Sequence, residues 1–257
     1  MRAGAKPILH LAPQPDVTGE DQAQVLDFLR DANQQHLADR DDDDELAARI
    51  AAYELASRMQ LAAPDLVDLS RETAETLALY GVDAPDTREF GTRCLLARRM
   101  LESGVRFVQL YAGDTVGWDA HEDVIENHGR LCRATDRPVA GLLRDLQRRG
   151  LWDDTLIIWG GEFGRMPMSE QGKGRDHNPW GYTIVLAGGA VRGGTAYGAT
   201  DEVGLRAVEN PIHVRDLHAT LLHILGLNHE ELTYFHDGLE ERLTGTEPAR
   251  VVREILA

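Results

Sequence analysis

Cysteine is scarce: only Cys94 and Cys132 occur in 257 residues. Both fall in helical patterns with no metal-ligand spacing, which excludes a disulfide framework and a cysteine-zinc site. Both are expected to be buried, inert thiols. Basic residues are also few, 27 Lys and Arg against 43 Asp and Glu, for a formal net charge of −16. That balance disfavours non-specific binding to nucleic acid or anionic lipid, which draws on excess Lys and Arg. An anionic substrate therefore needs a local basic patch. No apolar run approaches the roughly 20 residues of a membrane span. The N-terminal stretch MRAGAKPILHLAPQPD has a short apolar patch and no small-residue cleavage pattern, so no signal peptide is predicted and a cytoplasmic location is expected. There is no internal repeat. The glycine-rich segment from Gly188 to Gly198 reads as a hairpin or edge element; without a following helix at phosphate-loop spacing, it is not a nucleotide cradle.

What is present is enough apolar material for a core, 42% of the chain. Residues 1–17, with Pro7, Pro13 and Pro15, read as an extended lead-in. Thr18 to Asp21 has the form of a helix cap, and Val25, Leu26, Leu29 and Ala32 mark a helix face after it. The acidic run Asp41 to Glu45 reads as a solvated segment at the positive end of a second helix, which Pro64 is expected to close. Further helical patterns cover Arg71 to Leu79 and Arg88 to Leu101. Residues 1–103 thus form a mainly helical region, and residues 104–257 form an α/β core. His10 and His36 stand alone and carry no site.

In the core, Val105 to Tyr111 alternates as a strand does. Val124, His128, Leu131, Thr135, Val139, Leu142 and Leu146 mark one face of a long helix, in which Pro138 predicts a kink or a break. His128 on that face is expected to be packed rather than catalytic. The apolar run Thr155 to Trp159 reads as a buried central strand, and Tyr182 to Ala187 as another. Strand, helix and strand in that order predict a right-handed parallel crossover. Asn210-Pro211 opens a last helix from His213 to Leu225. Its His213, His218 and His223 are five residues apart, a step of about 140° around a helix, so they cannot share a face.

The chemistry gathers beyond the strand ends, where sites in open α/β sheets lie. Asp119 and His121, at positions i and i+2 of a loop, can present a carboxylate and an imidazole to one ion; a capping Asp beside a surface His is the alternative. Glu162 follows Trp159 almost at once, either as a ligand or as ordinary turn chemistry. Asp176-His177 adds a second acid-imidazole pair, and Arg165 and Arg175 are forked cations suited to clamp an anion.

Taken together, Trp118-Asp119-x-His121, Gly161-Glu162-Phe163-Gly164-Arg165, Gly174-Arg175-Asp176-His177-Asn178-Pro179 and Val208-Glu209-Asn210-Pro211 resemble the C-terminal half of an uncharacterised bacterial sulfatase-like family. That family is placed in the alkaline phosphatase and sulfatase superfamily, and the resemblance extends across nearly the whole chain. It implies a three-layer α/β/α sandwich with a mostly parallel sheet. It also implies hydrolysis of small phosphate or sulfate esters with a divalent metal ion (Zn, Ca, Mn or Mg). The resemblance makes Asp119, His121, Glu162, Asp176 and His177 the metal ligands, and Arg165 and Arg175 the catalytic anion clamps. Asp119 and His121 are closer in sequence than the pattern requires, and Phe163 stands where a ligating histidine is expected after Glu162. No serine, nor Cys94, lies in a Cys/Ser-x-Pro-x-Arg context. The nucleophile-bearing N-terminal half is therefore expected to be missing, leaving an incomplete sheet whose exposed edge could pair two copies. The alternative is a non-catalytic binding or scaffold protein that retains the fold.

Overall fold

The computed structural model describes residues 18–38, 40, 44–113, 117–169 and 172–257. The proline-rich lead-in with His10, and Asp41 to Asp43 of the acidic run, lie outside the described residues. Along the chain come helices α1 (Gly19–Ala38), α2 (Asp44–Val67), α3 (Ala74–Leu79), α4 (Pro85–Glu102) and α5 (Val124–Arg148), with a 3-10 turn Leu69–Arg71 before α3. Then come strands β1 (Leu156–Trp159), β2 (Gly164–Arg165), β3 (His177–Asn178), β4 (Val185–Gly188), β5 (Ala199–Thr200) and β6 (Ala207–Glu209). Helix α6 (Val214–Ile224), strands β7 (Thr233–His236) and β8 (Leu239–Arg242) and a 3-10 turn Arg253–Ile255 complete the order.

Local chemistry explains the helix boundaries. Thr18 Oγ1 accepts from the Asp21 amide at 3.1 Å and the Asp21 carboxylate accepts from the Thr18 amide at 3.0 Å, a reciprocal cap at the start of α1. Thr73 caps α3 through Thr76 N, and Pro85 opens α4 where its missing N–H costs nothing. Pro64 does not close α2, which runs on to Val67 with Asp68 N donating to Pro64 O at 3.2 Å. Proline removes only its own donor, and the next turn restores the ladder. Helix α5 likewise continues through Pro138, which is fully buried. Among the described residues no helix is long and apolar enough to cross a membrane.

The expected three-layer sandwich with a mostly parallel sheet is not what forms. Among the described residues there are four two-stranded sheets, all antiparallel: β1 with β4, β2 with β3, β5 with β6 and β7 with β8. The reason lies in the connections. A parallel pair needs a crossover of a dozen or more residues, usually a helix. Among the described residues no helix lies between β1 and β4, and the chain returns to set Leu156 opposite Gly188 and Trp159 opposite Val185. Val105 to Tyr111, expected to pair as a strand, forms none. Val105 N donates to Met100 O, Arg93 Nη1 donates to Tyr111 O at 2.9 Å, and Phe107 and Tyr111 face solvent.

The chain divides into two compact units, Met1–Ala112 with Arg133–Leu142, and Gly113–Cys132 with Leu143–Ala257. Helix α5 thus gives its middle to the first unit and its ends to the second. In the first unit Tyr80, Cys94 and Leu95 are fully buried, with Leu77, Phe90, Leu110 and Leu142 packed against them. The turn carrying Tyr80 is seated by two glycines. A Cβ on Gly91 of α4 would overlap the Tyr80 carbonyl oxygen, and one on Gly141 of α5 would overlap the Leu79 carbonyl oxygen. Both helices can approach the turn only because neither position carries a side chain. Beside this core, buried Arg98 donates to Glu72 at 2.7 Å and Glu102 at 2.5 Å, while Arg99 donates to Glu72 at 2.7 Å and to the Leu66 carbonyl at 2.6 Å.

Burial pushes the Cys94 thiol up to about 12, against the opposing charge of Arg93, so it remains protonated and inert. Cys132, expected to be buried as well, is exposed on α5: the helical pattern placed it correctly on a helix but could not show which face it occupies. In the second unit α6 holds the C-terminal segment. Thr220, fully buried, accepts from Val252 N at 2.9 Å and donates to Asp216 O at 2.7 Å.

Two outcomes follow for the first unit. Gly91→Ala drives a methyl into the Tyr80 carbonyl and should lower unfolding free energy by about 1–3 kcal/mol in urea titrations. Desolvation alone would raise the Glu72 carboxyl, but the hydrogen bonds and charges of Arg99 and Arg98 outweigh it and hold the group below its ordinary range. The folded state then binds fewer protons there than the unfolded chain. The resulting stability is present above the unfolded value, about 4.3, and is lost as pH falls through the depressed folded value. Urea midpoints measured from pH 6 downward should show this acid loss flattened in Glu72→Gln.

Candidate metal centre

The site is built in the second unit from three short segments: the loop before α5, β2 and β3. Strands β2 and β3 pair for only two residues, Gly164 opposite Asn178 and Arg165 opposite His177, extended by Met166 N donating to Asp176 O at 2.8 Å. Residues directly opposite in an antiparallel pair project to one face. Arg165 and His177 therefore stand side by side. Asn178, next along, points the other way and is fully buried, its Nδ2 donating to Leu205 O at 2.9 Å.

The loop carrying Asp119 and His121 is tied to the segment that precedes β3. Arg175 N donates to Ala120 O at 2.9 Å, and Val124 N, an unsatisfied donor at the start of α5, finds Lys173 O at 3.0 Å. Ala120 is buried between its two functional neighbours. A Cβ at Gly174 would overlap the His121 carbonyl, so glycine is what lets the two backbones cross. His128, read as a packed residue of the α5 face, fixes the loop from the other side: its Nε2 lies 3.1 Å from Trp118 O and its ring 5.4 Å from the Trp118 ring.

The result is a convergence on one oxygen. Asp119 Oδ1 lies 3.1 Å from His121 Nε2 and 3.0 Å from His177 Nε2, and it also accepts from Arg165 Nη1. Burial would push the Asp119 carboxyl up; the hydrogen bond from His177 and the charges of Arg165, His121 and His177 outweigh it and hold the group below its usual range. Asp119, His121 and His177 form a group that can hold a metal ion, their ligand atoms all within 4.8 Å of one another. Both imidazoles are about half exposed (48% and 47%), so the centre is open to solvent and to a ligand.

The remaining expected residues surround this triad. Asp176 Oδ1 lies 3.1 Å from His121 Nδ1, which leaves His121 Nε2 facing the centre. Glu162 accepts from Arg165 Nη2 at 2.7 Å, so both terminal nitrogens of Arg165 are engaged by acids. Arg175 turns back to its neighbour, Nη1 donating to Gly174 O at 2.7 Å. Phe163, where the sulfatase-like resemblance expected a ligand, packs its ring 4.5 Å from that of His177, and the Arg165 guanidinium lies 5.2 Å from the centroid of the same Phe163 ring. This supporting role of Phe163, like that of His128, carried no motif that sequence reasoning could use. His213 caps α6 by accepting from Arg215 N at 3.2 Å and belongs to no cluster with the triad.

A family model described as "Protein of unknown function (DUF1501)" matches residues 1–256. No curated protein and no solved structure matches the chain. The resemblance to the C-terminal half of a sulfatase-like family, and with it membership of the alkaline phosphatase superfamily, is corrected by these findings: the match is to DUF1501 across the whole length, and the small antiparallel sheets are not the sandwich that superfamily implies.

The crossing at Gly174 makes a direct structural test. In Gly174→Ala the added methyl should part the two backbones and break the bonds from Arg175 N and Val124 N. Hydrogen exchange at those two amides should accelerate by at least tenfold, with the amides of α4 unchanged.

Proposed function

The chain belongs to the DUF1501 family, and we propose that it binds one divalent metal ion through Asp119, His121 and His177 and hydrolyses small phosphate or sulfate esters beside it. The observation that carries this reading is the convergence of two imidazoles and one carboxylate on a common point. Ligands about 2.0–2.1 Å from a tetrahedral ion stand about 3.3 Å apart, close to the 3.0 and 3.1 Å between Asp119 Oδ1 and the two Nε2 atoms. Two nitrogen donors with one oxygen favour zinc over calcium or magnesium, which prefer all-oxygen sets. Three protein ligands leave a position open, as catalytic sites do and closed structural sites do not.

The surrounding residues support the same reading. Asp176 at His121 Nδ1 fixes the ring orientation and tautomer in which Nε2 is the ligand. Phe163 restricts His177 from its other side. A bound ion supplies Lewis acidity toward an ester oxygen. With Asp119, His121 and His177 holding the ion, Arg165 would be the cation placed to receive an anionic oxygen of the substrate; its planar fork suits phosphate and sulfate alike. In this reading water is the nucleophile, as in other hydrolases that use one bound ion.

A second reading, a metal-binding protein without turnover, is favoured by one feature: Asp119 and Glu162 together occupy both terminal nitrogens of Arg165. Calorimetric titration of chelator-treated protein with Zn²⁺ should give one site per chain, lost in His121→Ala and in His177→Ala. With the ion restored, p-nitrophenyl phosphate or sulfate should turn over, and Arg165→Ala should lower kcat/KM by about 10²-fold. Binding without turnover on either ester selects the second reading. No Zn²⁺ uptake by the unaltered chain overturns both.

A further inference from the structure

We infer that α1 is a self-association element that pairs antiparallel with α1 of a second copy of this chain. The helix has two separate faces. Its half-buried residues are Gln22, Leu26, Asn33 and Leu37, and α1 packs against α2. A second stripe, Asp21, Val25, Phe28, Leu29, Ala32 and His36, is exposed along its length, with Phe28 71%, Val25 56% and Leu29 47% accessible. At about 100° per residue the exposed stripe lies about 100° around the helix from the half-buried one. That is the angular relation a helix of a four-helix bundle needs, since it has one neighbour on each of two adjacent sides. The contact of α1 with α2 supplies one of those neighbours.

The order of residues in the exposed stripe identifies the other. Around the midpoint of α1, between Phe28 and Leu29, the stripe is complementary to its own reverse. Setting two copies antiparallel about that point places Phe28 opposite Leu29 of the partner subunit, Val25 opposite Ala32 of the partner subunit, and Asp21 opposite His36 of the partner subunit. Two large apolar side chains thus meet at the centre, a branched residue meets a small one on either side, and an acid meets an imidazole at each end. An isologous two-fold contact requires this self-complementarity, residue i touching j and j touching i. A parallel pairing would instead set Asp21 against Asp21 and Val25 against Val25. Acids near a helix N-terminus and a basic group near its C-terminus also suit an antiparallel neighbour, because the helix dipoles oppose.

The test is the mass of the full chain in solution. Light scattering after gel filtration and sedimentation equilibrium at 1–100 µM (roughly the range in which modest interfaces assemble) should show a dimer. Phe28→Glu, at an exposed position, should shift it to monomer while the thermal transition of the core and the circular dichroism are retained. His36→Glu should weaken the dimer at least tenfold by facing the partner's acid. A monomeric native chain at 100 µM overturns the inference. So does a dimer that both Phe28→Glu and His36→Glu leave unchanged, which would place the contact on another surface.

Discussion

One carboxylate oxygen holds the candidate centre together. Asp119 Oδ1 receives His121 from its own loop, Arg165 from β2 and His177 from β3. Without that acid, His177 would lose the carboxylate it bonds, and His121 and Arg165 would keep only Asp176 and Glu162. With it, the cationic neighbours and the hydrogen bond from His177 keep the carboxyl charged in spite of partial burial. Every other feature of the site serves to present this oxygen: buried Ala120 behind it, the crossing at Gly174, the His128 bond to Trp118 O, and the β2–β3 register that aligns Arg165 with His177.

The sequence made individual segments legible and their assembly much less so. Apolar spacing located the helices, because a buried stripe at a period of 3.6 is a strong local signal. Caps such as Thr18 with Asp21 marked their starts. The apolar run ending at Trp159 is indeed a strand, but such a run carries no record of its partner's direction, and its residues prove half-exposed rather than central. Alternation from Val105 to Tyr111 was the weaker evidence, since a two-residue period becomes a strand only when another chain segment satisfies its backbone. Here the Arg93 side chain takes the Tyr111 carbonyl instead.

The site followed the same division. Asp119 with His121, and Asp176 with His177, were visible as neighbouring acid-imidazole pairs. Which members share a centre was not visible, because the answer depends on a two-residue ladder between positions far apart in the chain. The ladder selects Asp119, His121 and His177 for one point and leaves Glu162 and Asp176 to orient Arg165 and His121. Phe163 illustrates the limit most clearly. Its aromatic ring reads in sequence as a lost ligand, and in the structure it packs against His177, one of the three residues that can hold an ion.

The shortness of the β2–β3 ladder has a wider consequence. Two paired residues do not form an independently stable hairpin, so the geometry of the centre is a low-stability element resting on a firmer scaffold. Asp119 and His177 are 58 residues apart. Anything that bridges them closes a long loop, and so restricts the open ensemble much as a covalent staple would, though reversibly. Ligand binding and local order are then one equilibrium: part of the intrinsic affinity is spent on ordering the ladder, and whatever already orders the ladder raises the apparent affinity.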